Sequence, residues 1–169
     1  RQHPPGYRWL HDSFGTNWRM LEMQAAIGRI QLGRMAEWTS KRFHNAQAIL
    51  NTCLKFSALR VPTFSCKGCT KNCNFSGSGG ECVHANYKCY VYVEPQKLAD
   101  GWSRDRIIES INKYGVPCYA GSCSEVYLEK AFEDTGWVPK VRLPAARELG
   151  ETSLMFLVHP TLTDKEILK

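Results

Sequence analysis

Apolar residues recur mostly every three or four positions along residues 15–59, with two longer gaps, which is the period of one face of an α-helix. No proline lies between Pro5 and Pro62 to interrupt this pattern. It predicts one long helix, with Gly28 and Gly33 as weak points. A helix of roughly 35 residues is about 50 Å long, so it must bend or pack against something outside this chain. The main apolar line runs through Met20, Met23, Ile27, Ile30, Met35, Trp38, Ala46, Ile49 and Cys53.

Alternating residues along 83–93 predict a strand with two partly apolar faces, and we therefore expect it in the centre of a small sheet. Residues 152–159 predict a second strong strand, and residues 116–119 predict a short edge strand. Typical capping residues predict helices over 103–114, over 124–132 and from Thr163 onward. These elements predict the α+β class, with a small, mostly antiparallel sheet and helices on one face.

The same pattern divides the chain into three parts. These are an irregular lead-in at 1–14, a long connecting helix at 15–59 and a small C-terminal α+β domain at 60–169. Within the last part, 63–82 is rich in Cys, Gly and Ser and predicts a loop without regular structure. The first residues read as the middle of a protein and 163–169 as a helix cut short, so we expect a fragment of a longer polypeptide.

Composition narrows the function classes. The chain has 169 residues, of which 43% are hydrophobic, enough for one domain with a packed core. The net charge of +6 is scattered, which argues against a nucleic-acid-binding arm but suits an anionic small molecule such as a phosphate ester. The sequence contains no run of about 18 apolar residues, so it does not predict a membrane-spanning helix. Without a secretion signal, a reducing, cytoplasmic compartment is expected.

Eight cysteines are many for this length, and several lie in the loop at 63–82. Four thiolates could hold a structural zinc ion, since the first two form a C-x-x-C pair, which is a known ligand spacing. The alternative is a surface insertion with free thiols, because the second pair lacks that spacing. The remaining cysteines lie in apolar contexts and are expected to pack in the core. The candidate zinc ligands are Cys66, Cys69, Cys73 and Cys82.

Two further groups could bind a ligand. Asn17 and Arg19 lie at the start of the predicted long helix, where unpaired amides and positive potential suit a phosphate. The alternative is a capping Asn17 and an Arg19 that faces solvent. His84 and Tyr87 belong to a polar and aromatic group on the strand at 83–93 that could line a ligand cleft. An ordinary half-buried strand explains that group equally well.

The helix entry carries a specific motif, which reads Gly15-x-Asn17-x-Arg19-Met20-x-Glu22-x-Gln24-Ala25-Ala26-x-Gly28-x-x-Gln31-Leu32. By this motif the chain strongly resembles the DegT/DnrJ-type aminotransferases, which are pyridoxal-phosphate (PLP) enzymes of fold type I that act mostly on nucleotide-linked keto-sugars. Three further features also resemble that family, namely Arg42, the aromatic strand that follows His84 and the ending at 154–163.

The resemblance implies a chain that corresponds to the smaller C-terminal domain and its connecting helix, preceded by a large cofactor domain. The catalytic lysine would precede Arg1, so no catalytic residue is assigned here and the fragment alone is expected to be inactive. Members form homodimers with active sites at the subunit interface. By similarity, Asn17 would reach the cofactor phosphate of the partner subunit, Arg19 would help position that anion or the substrate, and His84 would lie on the substrate side.

The resemblance thus implies a sugar aminotransferase whose partners are a nucleotide-sugar, an amino donor such as glutamate and a second copy of itself. The cysteine loop departs from the family pattern. It supports an alternative of another class, a zinc-stabilised interaction domain. Some relatives replace the lysine with histidine and catalyse dehydration, so a dehydratase or a non-catalytic relative of the same fold is also open.

Overall fold

The computed structural model describes residues 11–62, 76–77, 81–82 and 84–169. Helices and short strands alternate along these residues, and three 3-10 turns lie at Pro95–Lys97, Val126–Leu128 and Lys130–Phe132. In chain order the other elements are α1 (Glu22–Gly33), α2 (Met35–Cys53), β1 (Leu59–Arg60), β2 (Ser76–Gly77), β3 (Glu81–Cys82), β4 (Cys89–Val93), α3 (Arg104–Lys113), β5 (Cys118–Tyr119), α4 (Pro144–Thr152), β6 (Ser153–Phe156) and α5 (Asp164–Leu168).

Four of the strands form one antiparallel sheet in the order β1-β4-β6-β5. Val91 lies opposite Leu154 across β4 and β6, and Phe156 lies opposite both Cys89 and Cys118. The predicted α+β class is therefore confirmed, with β4 inside the sheet and β5 at its edge. Strand β4 begins at Cys89 and not at residue 83, because Asn86 has a left-handed backbone with φ of 43° that interrupts extended structure.

The core lies on one face of this sheet. Helix α2 packs Ala46 and Leu50 against Val91, and helix α3 packs its isoleucines against Val93 and Leu154. Alternate residues of a strand share a face, so both helices cover the same side, as the pattern predicts. Cys53, Cys89 and Cys118 are buried there, which agrees with the expected core packing, whereas Cys123 is only half-buried and does not belong to the core. The isoleucines of α3 are Ile107, Ile108 and Ile111.

The single long helix predicted over 15–59 is wrong. Residues 15–20 are irregular, α1 begins at Glu22, and a turn at Arg34 separates α1 from α2. Near the predicted start, the side chain of Asn17 accepts a hydrogen bond from the backbone N–H of Arg19 (3.2 Å), a local bond that competes with helix formation. The break follows Gly33, a poor helix former, in a helix without buried residues to hold it straight.

Three smaller predictions also change. The helix predicted over 124–132 is two 3-10 turns, and α4 is an additional helix that the pattern did not indicate. The loop at 63–82 contains a paired hairpin of β2 and β3, while its other residues lie outside the described part of the chain. The caps at Ser103 and Thr163 are confirmed, since both hydroxyls accept a backbone N–H three residues on.

Candidate functional site

The segment that carries Asn17 and Arg19 lies ahead of α1 and is exposed to solvent. The predicted placement of these residues at a helix N-terminus is wrong, because the first backbone amides of α1 belong to residues after Leu21. Those amides and the helix dipole therefore cannot supply the expected attraction to an anion at Asn17. What remains is an exposed amide and an exposed guanidinium, and in the described residues no carboxylate pairs with Arg19.

A large apolar surface adjoins this segment. Trp18 is 88% exposed, and the α1 side chains Met23, Ile27 and Ile30 are each more than half exposed. The spacing of the α1 residues places them on one helical face. Exposed apolar patches of this kind mark contact surfaces, so α1 presents a face suited to another protein surface.

His84 and Asn86 form a tight turn immediately before β4. The backbone N–H of Asn86 donates to His84 Nδ1 (3.0 Å), and the Asn86 side-chain amide donates to the His84 carbonyl (2.9 Å). Asn86 Oδ1 lies 3.1 Å from the same ring nitrogen, so two atoms of Asn86 hold this edge of the imidazole. Asn86 is buried, whereas His84 is exposed. The turn thus fixes the orientation of an accessible imidazole.

Tyr87 follows this turn and is 76% exposed. The Arg42 guanidinium lies 5.8 Å from the centre of its ring, and Lys88 Nζ lies 5.9 Å from the same point. The structure therefore brings His84, Tyr87 and Arg42 close together, although Arg42 comes from α2. Asn17 and Arg19 make no hydrogen bond or ion pair with these three residues within the described ranges.

The sequence reasoning missed a buried ion-pair network. Glu125 is 5% exposed and accepts hydrogen bonds from Arg142 Nε (2.8 Å) and from the Tyr127 hydroxyl (2.7 Å). The hydrogen bond from Arg142, aided by that from Tyr127, lowers the pKa of Glu125 to about 2 despite burial. Glu125 and Tyr127 lie together at the first 3-10 turn of 125–132, Arg142 lies on a separate irregular segment, and no spacing pattern in the sequence links Glu125 to Arg142.

The described residues offer no support for a metal centre. They contain no group of three or more His, Cys, Asp or Glu side chains that could hold a metal ion. Cys66, Cys69 and Cys73 lie outside the described part of the chain, and Cys82 lies in β3. The zinc site stays a prediction.

The buried core thiols are poor nucleophiles. Burial raises the pKa of Cys89 to about 12 and that of Cys118 to about 11, so both remain protonated at neutral pH.

In the described ranges, no helix combines the length and the hydrophobicity needed to cross a lipid bilayer.

Comparisons with known proteins identify the fold. An aminotransferase from Psychrobacter cryohalolentis shares 56% sequence identity, with a TM-score of 0.77 over 99% of this chain and 41% of its own. The aminotransferase TlmJ from Streptoalloteichus hindustanus is 19% identical, with a TM-score of 0.66 over 97% of this chain and 39% of its own. At this lower identity the likeness shows the fold alone.

A GDP-4-keto-6-deoxymannose-3-dehydratase solved with PLP and glutamate trapped is 20% identical, with a TM-score of 0.64 over 91% of this chain and 36% of its own. The chain thus spans about two fifths of the length of these relatives. A comparison with curated proteins gave no significant match. The model of the DegT/DnrJ/EryC1/StrS aminotransferase family matches residues 2–169. The chain therefore belongs to the DegT/DnrJ/EryC1/StrS aminotransferase family.

Proposed function

We propose that this chain is the C-terminal portion of a PLP-dependent aminotransferase. The whole protein transfers an amino group, with glutamate as donor, to a keto-sugar carried by a nucleotide, in the synthesis of amino sugars for cell-surface polysaccharides. The observation that carries the proposal is family membership over residues 2–169, with Asn17 and Arg19 of the shared motif both exposed. Activity requires the rest of the protein, because the chain covers only 41% of its 56%-identical relative.

The residues present fit the phosphate of the cofactor. Asn17 offers a side-chain amide donor, and Arg19 offers a guanidinium without a carboxylate partner in the described residues. Amide and guanidinium donors match the acceptor oxygens of a phosphate. PLP supplies an electron sink for the bonds around the reacting carbon. Asn17 would hold the phosphate, and Arg19 would hold the same anion or the substrate.

The substrate side is proposed at His84 and Tyr87. The Asn86 turn holds the His84 ring through Nδ1, and an imidazole can form a hydrogen bond to an oxygen of the sugar. Arg42 and Lys88 place positive charge beside the exposed Tyr87 ring. This charge suits the phosphates that link a nucleotide to a sugar, so these residues would orient the substrate without forming covalent bonds.

The partner is proposed to be a second copy of the same protein. The exposed α1 face adjoins the segment of Asn17 and Arg19, so a copy that covers this face would receive both donors near its cofactor. A reducing, cytoplasmic location is part of the proposal. It is supported by four free thiols among the described residues, at Cys53, Cys89, Cys118 and Cys123.

Asn17→Ala in the whole protein tests the assignment. We expect the affinity for PLP to fall about tenfold, because one hydrogen bond to a charged group contributes roughly 1.5–3 kcal/mol. Spectroscopic titration of the apo-protein with PLP measures the affinity. Asn51→Ala is the matched control, since Asn51 is an exposed residue on α2. An Asn17→Ala protein with wild-type PLP affinity and turnover would contradict the role given to Asn17.

A dehydratase relative is the second candidate, because a sugar dehydratase shares the fold with a TM-score of 0.64. Product analysis separates the two reactions, since amino transfer adds nitrogen to the sugar and dehydration removes water. The zinc-stabilised interaction domain and a non-catalytic relative are further alternatives. They predict a whole protein that does not convert a nucleotide-linked keto-sugar.

A further inference from the structure

The lead-in to the Asn17 segment is held against a distant part of the chain. His11 and Phe14 contact residues 129–137, more than 110 positions further along. We call this set of contacts the lead-in clasp, formed by His11 and Phe14 with Glu129 and Phe132. The exposed segment 15–20, which carries Asn17 and Arg19, begins directly after it.

Glu129 forms the polar half of the lead-in clasp. Its side chain is 3% exposed, and Oε2 accepts the backbone N–H of His11 at 2.8 Å. His11 Nδ1 lies 3.2 Å from the other carboxylate oxygen. The backbone N–H of Ala131 in turn donates to the His11 carbonyl at 2.9 Å. A buried carboxylate is costly without partners, so Glu129 favours the state in which residue 11 is docked.

Phe14 forms the apolar half. Its ring meets Phe132 edge to face, with 5.1 Å between centroids and 87° between planes, and lies 5.9 Å from Trp137. Such edge-to-face pairs are favourable beyond the apolar area that they bury. An ion pair between Lys130 and Asp12 (3.4 Å) lies at the edge and is exposed, so it contributes little.

The surface that receives the lead-in is itself fixed. Glu125, four residues before Glu129, is held by Arg142 and Tyr127, and the Tyr127 hydroxyl accepts the backbone N–H of Leu143 at 3.0 Å. Residues 125–132 are thus attached on one side to the 142–143 segment and on the other to the lead-in. Residue 14 therefore has a defined position relative to the rest of the domain.

We propose that Glu129 is a positioning residue. It fixes the place in the domain at which the segment that carries Asn17 and Arg19 begins. Asn17 is three residues beyond Phe14, and at about 3.5 Å per residue its Cα lies within about 11 Å of that of Phe14. Releasing the lead-in clasp leaves Phe14 itself without a fixed position and therefore lets both donors spread over a larger volume. The inference rests on the proposed function, since it assigns Asn17 and Arg19 to an anion of the cofactor or substrate.

The test is Glu129→Gln in the whole protein, measured in two ways. Hydrogen exchange at the backbone amide of His11, which donates to Glu129, should quicken at least tenfold, because the carboxamide cannot accept at both of its ends. The dissociation constant for PLP should rise about tenfold, and saturating PLP should restore the absorbance of the bound cofactor. Phe14→Ala, which leaves the buried carboxylate in place, should produce both changes even if Glu129→Gln fails to fold. Glu151→Gln, an exposed glutamate paired with Arg147, is the control.

Each outcome decides one point. Unchanged exchange at the His11 amide in both variants would overturn the lead-in clasp. Faster exchange with wild-type PLP affinity would overturn the positioning role, provided that Asn17→Ala weakens PLP in the same assay. If Asn17→Ala also leaves PLP affinity unchanged, the proposed function of Asn17 fails, while the exchange data still decide whether Glu129 holds the lead-in.

Discussion

Single residues set the local path of this chain through their short-range bonds. Asn17 bonds the backbone of Arg19 in place of opening a helix, and Asn86 adopts a left-handed conformation that delays β4. Asparagine is the non-glycine residue best suited to both roles. A hydrophobic pattern records neither effect, because a polar side chain that bonds its own backbone leaves the apolar periodicity unchanged.

The network around Glu125 is the residue-level feature with the clearest pH signature. Its pKa is lowered from the ordinary value of 4.5 to about 2 in the folded protein, chiefly by Arg142. A group with a depressed folded pKa stabilises the fold above its unfolded pKa and loses that contribution as pH falls toward the folded value. The window for this residue is therefore about pH 4.5 to 2.

We accordingly expect Glu125→Gln to lower the free energy of unfolding at pH 7 by about 2 kcal/mol, since Arg142 loses a charged acceptor. The difference from wild type should shrink between pH 4.5 and pH 2, because the wild-type carboxyl becomes protonated there. Urea titrations across this range measure both effects. Glu151→Gln, at an exposed pair, should change stability by less than about 1 kcal/mol. A constant difference at all pH values would contradict this account.

At the scale of elements, the strands and helices that pack into the core were predictable from their hydrophobic periodicity, and the elements outside the core were not. Strand β4, strand β6 and helix α3 pack into the core, so their periodicity matches their burial. Helix α1 carries a helical pattern but buries nothing in this chain, and its pattern therefore could not show where it begins or ends. The helix predicted over 124–132 did not form, because bonds to distant parts of the chain, and not a hydrophobic period, determine the conformation of residues 125–132.

The exposed face of α1 gives a prediction at this scale. Ile27→Glu in the whole protein should convert the proposed dimer to a monomer, because a desolvated carboxylate at the centre of an apolar interface costs several kcal/mol. Light scattering coupled to gel filtration measures the mass. Leu54→Glu is the control, since Leu54 is an exposed apolar residue beyond the end of α2. A dimer that survives Ile27→Glu unchanged would exclude α1 as the contact surface.

At the scale of the whole molecule, the α+β class and the family were accessible from the sequence, while the arrangement of the site was not. The motif around Asn17 indicated the family. The predicted helix start was wrong, however, so the helix dipole cannot be the reason for the phosphate binding that we expected of Asn17. Arg42 lies beside Tyr87 only because α2 packs on the sheet, and that contact joins residues 45 positions apart.

The effect of metal removal on thermal stability is a further prediction for the whole molecule. Among the described residues, Val91 and Val158 pack with helix α2, Leu154 packs with helix α3, and no side-chain group could hold a metal ion. We therefore expect a chelator such as 1,10-phenanthroline to leave the unfolding temperature of the whole protein within about 2 °C, the shift that less than 1 kcal/mol would cause. Circular dichroism measures it, with non-chelating 1,7-phenanthroline as control. Stoichiometric zinc and unfolding on chelation would instead favour the zinc-stabilised interaction domain.

The strand order has a consequence for how the protein is made. Among the described strands, β6 follows β4 and β5 in sequence, yet it pairs with both and links them in the sheet. During synthesis, β5 therefore has no strand partner until residues 153–156 have left the ribosome. The sheet cannot close before that point, and its apolar strands remain open to chaperones or to wrong pairings in the meantime.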